Sequence, residues 1–284
     1  MTRTRAAGNR NDMDAPFDAE REGVLARQIL ERYREAVRAS RENEPVLRYG
    51  RRTLAVSTLA QQFYCEKAVQ FSIERPFAPT AEMQSGTAGH EAVAALGIQM
   101  TPEEAVAAAV VERVRPLCVY EFRIGWRHSG VTITGFVDEA WFSGGSVALV
   151  AERKFSGSLG IYMPYRVQAG LYCLGLDEMG FATDSTHYRV SVFKRECHRC
   201  ERLAAGDCLL LSGEAGQQEC PQGAGISQVF PFEREQTARN LDWAMEFWTG
   251  EREAEPTTSP GKCRSCRYRR VCDSSPARAN DVAL

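Results

Sequence analysis

The chain has 284 residues, 44% of them hydrophobic and 25% charged, with a formal net charge of −2. This is the make-up of an ordinary globular protein of one or two domains, long enough to bury a substantial core. No apolar run approaches the roughly 18–20 residues that span a bilayer. The polar start MTRTRAAGNRNDMDAPFDAE carries no secretory apolar stretch, so a cytoplasmic protein without membrane association is expected.

In chain order, residues 1–17 read as a disordered tail, 18–274 as a single domain with a cysteine-rich insertion at 195–225, and 275–284 as a second tail. Between residues 20 and 40, Leu25, Ile29, Tyr33 and Val37 recur every fourth position and predict an amphipathic helix. Thr58 and Gln61 have capping-box spacing, which predicts a helix from Ser57 through Leu59, Phe63 and Cys65. His90 is expected on another helix, after Ser85-Gly86-Thr87-Ala88-Gly89. Thr101-Pro102-Glu103-Glu104 offers an N-cap, a first-turn proline and a glutamate three residues past the cap.

The texture then changes. Residues 118–125, 130–142 and 146–155 are rich in β-branched and aromatic side chains and predict three strands, with Ser143-Gly144-Gly145 as a hairpin loop. A helix over 164–179 and a strand over 186–194 follow. Residues 195–225 read as an inserted loop, and a last helix over 232–250 offers Leu241, Met245 and Trp248 to the core. Residues 256–261 form a linker into the final cysteines.

Glu152 and Lys154 stand two apart on a predicted strand, so their side chains share one face of the sheet. Asp138 on the preceding strand reaches that face through hairpin pairing. Two carboxylates and a histidine about one point make a hard site suited to magnesium or manganese. Such an ion polarises a phosphoryl oxygen and activates water, and a lysine beside that water helps to hold it. Taken singly, Glu-x-Lys also fits a surface ion pair, and His90 a structural histidine.

Ten cysteines in a core-forming, intracellular chain point to metal ligands or buried thiols more than to disulfides. Cys263-x-x-Cys266-x5-Cys272 closes the chain, and a lone Cys65 lies about 200 residues upstream. Four thiolates suit zinc or an iron–sulfur cluster. A second group, Cys197, Cys200, Cys208 and Cys220, has His198 nearby and reads either as a zinc site or as scattered thiols. Cys118 and Cys173 read as buried residues. Arg264, Arg267, Arg269 and Arg270 form either a local basic track for a polyanion or a solvated face.

Taken in order, Cys65, His90, Asp138, Glu152-Arg153-Lys154, Gln168-x-x-x-Tyr172 and the terminal cysteines resemble the RecB-family nucleases of the PD-(D/E)XK superfamily that carry an iron–sulfur cluster. The CRISPR-associated Cas-four family, exonuclease V and the AddB nuclease domain belong to that group. The resemblance covers about residues 52–274. It implies an α/β fold with a mixed central sheet flanked by helices, and an N-terminal helical part joined to the C-terminal segment by the cluster. It implies a magnesium- or manganese-dependent DNA exonuclease in which His90, Asp138, Glu152 and the Arg153 carbonyl bind the ion and Lys154 is the catalytic lysine. Gln168 and Tyr172 would contact DNA or orient the site. Cys65, Cys263, Cys266 and Cys272 would hold a structural [4Fe–4S] cluster. The implied partner is single-stranded or end-frayed DNA, with a CRISPR integrase as a further partner if the Cas-four likeness extends to pathway. The Cys65-Glu66 start and the insertion depart from a minimal Cas-four protein, so exonuclease V stays a neighbour. Arg153 departs from the apolar middle residue common in the family, and its side chain must find a partner or solvent on the opposite sheet face. Readings of other classes are a non-cleaving DNA-binding scaffold and a redox sensor built on the terminal thiols.

Overall fold

The computed structural model describes residues 19–41, 46–78, 81–95, 97, 100–112, 116–211 and 216–277. The tail expected at 1–17 and residues 278–284 lie outside these. At the other tail, Ser275 and Ala277 are buried, so the packed chain continues past 274.

Helix α1 (Ala19–Ala39) buries Ile29, Tyr33 and Ala36, with Leu25 and Val37 half-buried along the same stripe. Strand β1 (Thr53–Ala55) leads directly into α2 (Val56–Gln62). The predicted cap at Ser57–Thr58 is not used. Ala55 caps α2 without a side-chain bond, Thr58 lies inside the helix, and the helix stops before Cys65. Cys65 instead opens α3 (Glu66–Glu74). His90 lies on α4 (Ala81–Ala94), and α5 (Pro102–Val111) carries the Thr101/Glu104 capping box in full.

The strands read from the sequence are β2 (Leu117–His128), β3 (Val131–Ser143) and β4 (Ser146–Ser156). Gly144 and Gly145 make the two-residue β3–β4 turn with φ of 56° and 83°, the left-handed pair that a tight hairpin requires. Helix α6 (Met163–Met179) crosses back to β5 (His187–Lys194), which pairs parallel to β4. The segment expected as loop contains a 3-10 turn at Arg195–Arg199, the short α7 (Glu201–Ala204), a 3-10 turn at Leu209–Leu211 and β6 (Gln217–Glu219). Strand β7 (Gly225–Pro231), α8 (Arg234–Thr249) and α9 (Pro260–Arg264) complete the order. Leu241, Met245 and Trp248 of α8 are buried as expected.

Among the described residues the result is a mixed seven-stranded sheet flanked by helices. Its long strand β3 pairs with β2 on one edge. The other edge is shared: β4 pairs with Glu139–Ser143, and β1 pairs in parallel with Thr132–Thr134. Residues 135–138 therefore lie between two partners on that edge, and the sheet opens there. Helix α6 covers one face of the sheet and is buried over most of its circumference. Register places Glu139, Arg153, Phe155, Arg189, Ser191 and Phe193 on the other face, where the 195–211 segment packs through Leu203 and Leu210.

Candidate active site

The β3–β4 ladder ends at Glu139↔Ala151, so the next residues in register, Asp138 and Glu152, face each other across the opening. The Arg153 N–H donates to Asp138 Oδ2 at 2.7 Å, where a continuous ladder would have used a backbone carbonyl. His90 comes in from α4 with Nδ1 3.5 Å from Asp138 Oδ2. Gly89 makes this approach possible, because a Cβ there would lie 2.4 Å from the Phe155 ring.

A third carboxylate, absent from the sequence reading, joins them. Glu121 of β2 sits between Tyr120↔Glu139 and Phe122↔Val137, opposite Asp138. Its φ of 52° is left-handed, a strained conformation for a non-glycine residue and one that clusters at functional sites. Ligand atoms of His90, Glu121 and Asp138 all lie within 4.8 Å of one another. Its only sequence signal is an acidic residue inside the otherwise apolar run Cys118-Val119-Tyr120-Glu121-Phe122.

Glu152 stands beside this trio, not within it. Its side chain is wholly buried, and Lys154 Nζ lies 2.5 Å from Oε1. Apart from that ion pair, neither carboxylate oxygen has a hydrogen-bond partner. Burial, and then the Asp138 charge, push the Glu152 carboxyl above its ordinary range. Burial works against the charge on Lys154, but the Glu152 and Asp138 carboxylates outweigh it and hold the ammonium above its usual value. Burial, with Lys154 and Arg153 nearby, lowers His90, overriding Asp138, which favours the neutral ring whose unprotonated nitrogen can take a ligand. Crowded carboxylates, a buried Glu152 whose only partner among the described residues is Lys154, and a neutral imidazole suit a hard divalent cation.

Lys154 donates to Gln168 Oε1 at 3.1 Å, and Gln168 Nε2 donates to Tyr172 Oη at 2.8 Å. The Gln-x-x-x-Tyr pair thus acts as a unit, one helical turn apart on α6. Tyr172 is also a core residue. Gly135 makes room for it, since a Cβ there would sit 2.9 Å from the ring.

Arg153 finds its partner on the opposite face. It is fully buried, pairs with Glu139 at 2.7 Å, donates to the Asp138 carbonyl at 2.9 Å and lies over the Tyr120 ring. Arg189 reaches the second Glu139 oxygen at 3.0 Å. This network fixes the backbone on which Asp138 and Glu152 are carried.

The terminal cysteines come together with Cys65 around one small cavity, lined also by Phe71, Thr257, Lys262 and Tyr268. Cys263 is buried, the other three thiols are half-buried, and no cysteine of the chain is in a disulfide. Burial, reinforced by the neighbouring thiols, raises Cys266 and Cys272. Cys118 and Cys173 are packed side chains, half-buried and buried. Of the arginine run, Arg264, Arg267 and Arg270 are exposed, and Arg267 lies over the exposed Phe77 ring at 5.7 Å. No helix among the described residues is long and apolar enough to cross a membrane.

No protein-family model matches the chain, and no curated protein matches it. A crystal structure of a protein designated SSO0001 aligns with 90% of this chain and 96% of its own, at 14% identity and a TM-score of 0.42.

Proposed function

We propose that this chain is a magnesium- or manganese-dependent DNA nuclease with a RecB-like PD-(D/E)XK core, acting on single-stranded or end-frayed DNA. The observation that carries the reading is the convergence of His90, Asp138, Glu152 and Lys154 where the sheet opens beside Asp138. Arg153, the residue between Glu152 and Lys154, orients Asp138 through its own N–H.

His90, Asp138 and Glu152, with the Arg153 carbonyl and Glu121 as further donors, would hold a divalent cation, which would supply Lewis-acid polarisation of the phosphoryl oxygen. The chain's residues do the rest. Lys154, charged and a quarter exposed, holds the attacking water and offsets charge gathering on the phosphoryl oxygens. Gln168 takes one Lys154 N–H and is itself fixed by Tyr172, so the ammonium is aimed rather than free to swing. Glu152 keeps that lysine protonated.

Aromatic side chains beside the site favour a single-stranded substrate. Phe136, two residues before Asp138, is exposed with Arg123 over its ring at 4.9 Å. Exposed Tyr162 packs on Tyr165, whose ring lies 5.6 Å from Lys154 Nζ. Bases stack on such platforms without regard to sequence.

The same reading gives Cys65, Cys263, Cys266 and Cys272 a structural [4Fe–4S] cluster, for which four thiols around one cavity form a fitting donor set.

The test is cleavage of 5′- and 3′-labelled single strands by anaerobically purified protein with manganese, beside Glu152→Ala and Lys154→Ala. Both variants should retain the fold and lose cleavage by at least about 100-fold. Wild-type protein that binds manganese but cleaves neither strand, or an active Lys154→Ala variant, would overturn the mechanism.

A further inference from the structure

The second cysteine group does not belong to the nuclease pattern, and its arrangement is not that of scattered thiols. Cys197, Cys200, Cys208 and Cys220 line one partly open cavity of about 290 Å³ together with Phe193, Leu203 and Leu210. Each cysteine sits at a backbone turn. Cys200 N–H donates to the Cys197 carbonyl at 2.9 Å, closing the Cys-x-x-Cys turn. Leu211 N–H returns to the Cys208 carbonyl at 2.9 Å, and Gly223 N–H to the Cys220 carbonyl at 2.8 Å. Tight turns of this kind present thiolates inward while the chain leaves the site, as ligand loops do.

The rest of the segment gives it little else to fold on. Its apolar cluster consists of Val93, Phe155, Phe193, Leu203 and Leu210, with the four cysteines packed against it. Among the described residues, the elements between 195 and 219 are short helical turns and one three-residue strand. A segment this short in regular structure commonly draws its fold from a metal. Disulfides would pair the thiols two by two, whereas here all four line one shared cavity.

From this geometry we infer a second soft-metal centre, bound by the thiolates of Cys197, Cys200, Cys208 and Cys220 and independent of the nuclease reading. The thiolates take a thiophilic group, either a zinc ion or an iron–sulfur cluster. The centre braces the segment that packs on Val93 of α4, three residues from His90.

Zinc, iron and acid-labile sulfide are measured per chain on anaerobically purified full-length protein, beside a Cys200→Ser/Cys220→Ser variant and a Cys263→Ser/Cys266→Ser variant. The Cys200/Cys220 variant should lose one zinc, or a cluster's iron and sulfide, that the Cys263/Cys266 variant keeps. Equal metal in the wild type and the Cys200/Cys220 variant overturns the proposal. A second readout needs no variant. The four thiols of the native protein should resist iodoacetamide until a chelator is added. Alkylation without chelator, or protection lifted only by a reductant, overturns the proposal as well.

Discussion

The two cysteine quartets, four thiols each, sit in very different surroundings. The first joins positions about 200 residues apart, and it is not alone in doing so. Beside Cys65, the fully buried Glu66 pairs with Arg252 at 2.5 Å and accepts from Gln62 at 2.6 Å and from the Glu255 N–H at 2.8 Å. Lys262 Nζ reaches the Tyr64 carbonyl at 3.1 Å, and Tyr268 stacks on Phe71. The second quartet lies within residues 197–220 and serves a segment whose apolar cluster is small. A metal at the first site would reinforce a junction that polar and aromatic contacts already make. At the second it would be the main source of order.

The largest effect is expected from Glu66→Ala. Removing this carboxylate leaves Arg252, whose side chain is only 17% exposed, without its buried partner. The loss should be about 3–5 kcal/mol, which corresponds to a fall in Tm on the order of 10 °C. Unchanged thermal unfolding would show that the junction depends on its thiols after all. Next in size is Cys266→Ser, expected to abolish the brown absorbance of the proposed cluster while costing about 1–3 kcal/mol in urea unfolding. Unfolding of the whole sheet in this variant would reverse the ranking.

A smaller and local effect follows stripping of the second quartet. Hydrogen exchange should rise across 195–225 and leave the amides of α6 and α8 protected. The smallest effect is a control at the hard site, where no thiol takes part. The Glu152 carboxyl is held above its ordinary value of 4.5. In the metal-free protein, its contribution to stability is therefore present below about pH 4.5 and lost as pH rises through the raised folded value. A cation bound as proposed would have to displace that proton, and protonated His90 would oppose it from the acid side. The manganese-induced rise in Tm should be larger near pH 7.5 than near pH 5.5, by a few degrees. An equal rise at both would remove Glu152 from the ligand set.

Much of this could be read in the chain because the signals were local. Alternation placed Glu152 and Lys154 on one face, paired glycines marked the hairpin, and Thr101 with Glu104 marked a cap that forms. Signals dependent on distant partners were missed. Strand β1 has three residues, and its existence depends on an edge of β3 left vacant by β4. Strand β7, Gly225-Ile226-Ser227-Gln228-Val229-Phe230-Pro231, mixes polar and apolar positions and is organised by β5. The capping-box spacing at Thr58 lost to a helix that starts earlier, directly from β1. Glu121 carries no motif, and only its left-handed backbone and its place opposite Asp138 bring it into the site.

The Glu66–Arg252 tie also fixes a sequence of events during synthesis. His90, Glu121, Asp138, Glu152, Lys154, Gln168 and Tyr172 all emerge from the ribosome before Arg252, and domains gather from their N-terminal side as they are made. Glu66 and Gln62 then wait on the nascent chain without Arg252 or Trp248, their later partners. The carboxylate centre is assembled first and the restraint on its neighbouring helices last. A nascent chain whose exposed part ends between Phe232 and Phe247 should therefore hold all seven described strands with its α2–α3 corner still open to a chaperone.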